Sequence, residues 1–100
     1  MVDNNVIVSD EKLAKYFDVT GRALKKVKLV KNGTVDFDKA GKDFLDMAKR
    51  YFDDAKFFKE KKKDYVLAFA ALNYAHGWLD AGARLGLFDV DHDSELFTVD

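Results

Sequence analysis

Apolar residues recur along this chain at alternating steps of three and four, the spacing that keeps side chains on one side of an α-helix. Leu13, Tyr16, Phe17, Thr20, Leu24 and Val27 make one stripe. Phe37, Gly41, Phe44, Leu45, Ala48, Tyr51, Phe52 and Ala55 make another. The segment that begins at Tyr65 carries two seams. One runs Tyr65, Phe69, Leu72, His76, Leu79, Ala83, and the other Leu67, Ala71, Tyr74, Trp78, Ala81, Leu85, Phe88. A helix in a small domain needs one apolar face to join the core. The first seam is therefore assigned to the core. The second is left for a terminal segment, another copy of the chain or a partner.

Local signals place the ends of these helices. Ser9 can cap the first, with Asp10 and Glu11 in the turn where the helix dipole favours negative charge. Lys25, Lys26, Lys28 and Lys31 gather at its other end, and Asn32-Gly33 breaks it, so this helix is expected over about 10–31. The second is expected over 37–62, opening at Asp36 and closing in Lys59–Lys63. Asp64 caps the third, over 65–86, and Gly86 can end it in the left-handed conformation. No proline interrupts any of them. Short connections make neighbouring helices antiparallel. The expectation is an all-α, up-and-down three-helix bundle in a single domain, residues 1–100. Short non-helical segments lie at the N- and C-termini, the latter an acidic tail over 89–100. Val6-Ile7-Val8 and Leu96-Phe97-Thr98-Val99 are β-prone and either could fold over the second seam.

Composition narrows the function classes. With 100 residues, 48% apolar and 35% charged, the chain supports one core. A net charge of −1 gives no global attraction to nucleic acid or anionic membrane. The absence of cysteine removes disulfides, thiolate nucleophiles and Cys-based zinc sites. Val6–Val8 is too short for a leader core, and Tyr65–Leu72 is too short to cross a bilayer. The expected location is cytoplasmic, with no membrane partner.

From Tyr51 onward, Asp64-Tyr65 followed by Asn73-Tyr74-Ala75-His76-Gly77-Trp78-Leu79-Asp80-Ala81 resembles the archaeal domain-of-unknown-function family 357, a group of short helical proteins. The resemblance covers about the C-terminal half. It implies an archaeal source and an all-α, three-helix, up-and-down bundle, and it supplies no catalytic residues. Ala55–Ala83 also has some likeness to a tetratricopeptide helix pair. Such repeats need about three copies to bury their faces, so only the hairpin packing is shared.

The candidate chemistry is sparse. Asn73, Gly77, Asp80 and Arg84 form a polar strip on the third helix, with His76 at its edge. His76 and Asp80, one turn apart, could meet a ligand or form an oriented acid–base pair. Two ligands fall short of the three that a catalytic zinc requires, so no catalytic residue, metal or cofactor is assigned. Asp89, Asp91, Asp93, Leu96 and Asp100 follow part of a calcium-loop pattern, but Ser94 stands where the turn needs glycine. The lysine clusters, Lys25–Lys31 and Lys59–Lys63, lack the interleaved aromatic residues of a nucleic-acid stacking platform. Gly77 and Gly82 each cost a helix about 1 kcal/mol relative to alanine, which points to close approach of a neighbour. The leading expectation is a protein-interaction or scaffold module using the outer face of the third helix: Leu67, Tyr74, Trp78, Leu85 and Phe88. Its partner is either the chain itself, as a homodimer, or another protein. The alternatives are an enzyme that binds a small molecule or metal through His76 and Asp80, and an RNA-associated protein using its lysines.

Overall fold

The computed structural model describes residues 7–98. Three helices follow in order, α1 over Asp10–Lys26, α2 over Phe37–Glu60 and α3 over Tyr65–Leu85, with no strand among the described residues. The all-α class is as expected, and so are the signals that set the helix starts. The Ser9, Asp36 and Asp64 side chains accept the backbone N–H groups of Lys12, Lys39 and Leu67 at 3.1, 3.1 and 3.0 Å. Each satisfies a donor that a helix start leaves unpaired. At the end of α3, Gly86 takes φ 84°. Its N–H donates to the Ala83 carbonyl at 3.2 Å and that of Leu87 to the Gly82 carbonyl at 2.8 Å, the pair of bonds of a Schellman stop.

The first helix stops earlier than the expected 31. Val27 is extended, with φ −65° and ψ 134°, so Lys28 and Lys31 belong to the linker. Val27, Leu29, Val30 and Val35 are all exposed there. Helical structure for β-branched residues depends on a packed face, and this stretch has none. The ends at Glu60 and Leu85 fall within the usual uncertainty of a helix boundary.

The packed pair is α2 and α3. Phe44 meets Trp78 edge-on at 4.9 Å between ring centroids, and Tyr51 meets Tyr74 at 4.4 Å. Gly41 lies 3.6 Å from the Leu87 carbonyl, counted from where its Cβ would sit. As the α2 number rises the α3 number falls, so the two helices are antiparallel. The line between them is built of small residues. Ala48 and Ala55 of α2 and Ala68, Ala71, Ala75 and Gly82 of α3 are buried. No large side chain of the described residues is fully buried. Small side chains let two backbones come close, and the aromatic rings pack beside the contact line. By contrast, the Cα atoms of α1 stay more than 8 Å from those of α2 and α3 along its whole length, and α1 has no buried residue.

Candidate interaction surface

The assignment of the two α3 seams to core and outside needs correction. The buried line Ala68, Ala71, Ala75, Gly82 takes only Ala71 from the second seam and nothing from the first, so the large side chains of both seams flank the α2 contact and do not fill it. Within the expected core seam, Tyr65, Phe69 and Leu72 are exposed, Phe69 at 68%, and the His76 side chain is 50% exposed. The expected outer seam is divided. Trp78 rests on Phe44, and its Nε1 is buried without an acceptor among the described residues. Phe88 covers Gly82, and Leu67 is half-buried. Tyr74 and Leu85 remain about half exposed. The physical reason is that periodicity weights large side chains, whereas two closely packed helices select small ones.

Of the two glycines that called for a close neighbour, one has it. A Cβ on Gly82 would lie 2.2 Å from the Phe88 ring, whereas one on Gly77 would meet nothing within 4 Å.

The polar strip gathers little. His76 Nε2 lies 3.5 Å from Asp80 Oδ1, and the same oxygen accepts the Thr98 N–H at 3.0 Å. Phe97 stacks on His76 with centroids 6.2 Å apart. The strip therefore holds the C-terminal segment, while Asn73, Gly77 and Arg84 remain exposed. By sequence, either β-prone terminus could fold over the second seam. Instead Phe97 and Thr98 lie on the His76–Asp80 side, and Ile7 and Val8 are exposed. Val6 and Val99 lie outside the described residues. In the acidic tail, the Asp89 and Asp93 carboxylates accept the N–H groups of Asp91, Glu95 and Leu96. These local turns, not a converging ligand set, order the segment. Among the described residues no three His, Asp or Glu side chains are grouped to hold a metal.

Apolar surface is the more extensive feature. A cleft of about 560 Å³ separates α1 from α3, with Val8, Leu13 and Tyr16 on one wall and Tyr65, Phe69 and Ala70 on the other. Val66, Ala70 and Asn73 also border it, and they lie on the side of α3 turned away from α2. So α1 stands behind α3. The groove between α2 and α3, where a third helix would close a bundle, is open. It measures about 380 Å³, with Ala48 and Ala75 in its lining, beside Leu45, Phe52 and Leu79 and the charged Lys49 and Asp53. A third hollow of about 350 Å³ beyond α3, near Arg84, Asp89 and His92, is more polar. No helix of the described residues is long and apolar enough to cross a membrane.

No curated protein and no solved structure matches this chain. A family model, that of a protein of unknown function (DUF357), matches residues 15–88, reaching from within α1 to the Phe88 that closes over Gly82. The chain belongs to the DUF357 family.

Proposed function

We propose that this protein is an interaction module, and that its working surface is the apolar side of α3 around Tyr65, Phe69 and Leu72, together with the facing stripe of α1. The supporting observation is the exposure of these large side chains in register on one helix, spaced so that they form a continuous ridge. Soluble monomers rarely leave an apolar patch larger than a few hundred Å² open, and such patches usually mark contact sites. Large aromatic anchors such as Tyr65 and Phe69 carry a disproportionate share of binding energy where they are covered. Of the surface expected from sequence, centred on Trp78, only Tyr74 and Leu85 are about half exposed, and they belong to the opposite seam of α3 and not to this ridge.

The test is a comparison of the polypeptides retained by the tagged chain and by its Phe69→Asp variant in extract of the producing cells. Phe69 is mostly exposed within the chain, so the charge leaves the α2–α3 hairpin intact and helicity by circular dichroism is expected to be unchanged. Retention is expected to fall on the order of 100-fold, the effect of losing a buried anchor. Equal retention by both chains overturns the assignment of this face.

A further inference from the structure

We propose that the partner is a second copy of this chain, and that the apolar stripe of α1 from each copy fills the open α2–α3 groove of the other. The inference rests on the interaction reading above, extends that surface into the α2–α3 groove that adjoins the ridge through Leu79 of the same seam, and names its occupant. The first argument is one of area. The chain exposes 8733 Å², against roughly 5,800 Å² for a compact monomer of 11.4 kDa. Its radius of gyration is 16.4 Å, against roughly 13 Å for a compact chain of this length. An obligate homodimer buries roughly 2,000–5,000 Å² in total. The excess of roughly 3,000 Å² on each chain is more than enough to supply that.

The second argument is complementarity within one sequence. The groove bounded by Leu45, Phe52 and Leu79 lacks a helix. α1 is a helix whose apolar stripe faces its own α3 only across an open cleft, with Phe17 71% and Leu24 73% exposed. Its own α1 stands behind α3, on the far side from that groove. Two surfaces that fit each other and occur on every copy close under two-fold symmetry, with both grooves filled and nothing left over. The linker over residues 27–36 is non-helical and can carry α1 away from its own hairpin. The net charge of −1 sets up no repulsion between copies. The core argues the same way. The most deeply buried residues of α2 and α3 are alanines and one glycine, and large side chains such as Phe44 and Trp78 are only partly covered, so the pair offsets only part of the entropy of ordering the chain. A covered groove adds the large side chains.

The experiment measures mass by sedimentation equilibrium and radius of gyration by X-ray scattering, on the full chain and three variants. The wild type is expected at twice 11.4 kDa. Phe17→Asp on α1 and Leu45→Asp beside the groove are each expected to weaken association on the order of 100-fold. Leu29→Asp, in the linker at 92% exposure, is expected to leave it unchanged. Phe17 is exposed within the chain, so its substitution does not threaten the hairpin, and circular dichroism checks this. A wild-type monomer with a radius near 16 Å overturns the second-copy proposal and leaves the docking surface open to another protein. A monomer near roughly 13 Å means that α1 fills its own groove, which overturns both readings. A dimer that survives Phe17→Asp and Leu45→Asp overturns the exchange of α1.

Discussion

Gly77 and Gly82 lie on the same helix, but a methyl group would find opposite surroundings at the two positions. At Gly77 it meets open space. The helix then gains only from lower backbone freedom in the unfolded chain, so Gly77→Ala is expected to stabilise by about 0.5–1 kcal/mol. At Gly82 the methyl would lie 2.2 Å from Cε2 and 2.6 Å from Cδ2 of the Phe88 ring. The ring must leave or the helix must shift. Overpacking typically costs about 1–3 kcal/mol, more than the helical preference for alanine returns. Gly82→Ala is expected to lower stability by about 1–2 kcal/mol in urea unfolding followed by circular dichroism. If both variants move stability in the same direction, the close approach of Phe88 to α3 is wrong. The sequence indicates that these glycines need a reason. It does not indicate which one has a neighbour, because Phe88 reaches Gly82 only through the turn that Gly86 makes.

At the scale of the element, what is legible depends on how local the cause is. Ser9, Asp36, Asp64 and Gly86 act on backbone groups within a few residues, and each could be read directly. Exposed pairs such as Asp18–Arg22, Asp38–Lys42 and Asp46–Arg50, at 3.0, 3.1 and 2.8 Å, support the helices by about 0.3–0.5 kcal/mol apiece. The face that α3 turns to α2 is not local. Two rows of large side chains mark its flanks, and the contact line between them is alanine and glycine, a weak signal in any hydrophobic pattern. The row Ala68, Ala71, Ala75, Gly82 has helical spacing and could have been noticed as a small-residue seam. Gly86 gives the sharpest test at this scale. Its φ of 84° strains any residue with a Cβ, so Gly86→Ala is expected to cost about 1–2 kcal/mol. Unlike Gly82→Ala, it does so with nothing within 4 Å of the new methyl. An unchanged midpoint of unfolding would mean that α3 does not end in this left-handed stop.

For the whole molecule, the balance of surface and core decides how stability should behave. A chain whose deeply buried residues are all small, whose α2–α3 rings are only partly covered, and which leaves Phe17, Leu24, Tyr65 and Phe69 in water has limited apolar transfer energy to set against its ordering entropy. If a second copy covers those groups, folding and association become one equilibrium, and stability depends on the concentration of chains. Raising the protein concentration about 100-fold then adds roughly 2.7 kcal/mol per mole of dimer, the RT ln 100 of mass action. For a domain of this size that is several degrees in Tm. Thermal unfolding by circular dichroism over such a range should therefore show a rising Tm for wild type. The Tm of Phe17→Asp should stay lower and nearly constant, because its hairpin unfolds without a partner. A wild-type Tm independent of concentration means that the copies do not share a core, and the exposed α1 stripe then has to be covered from another source.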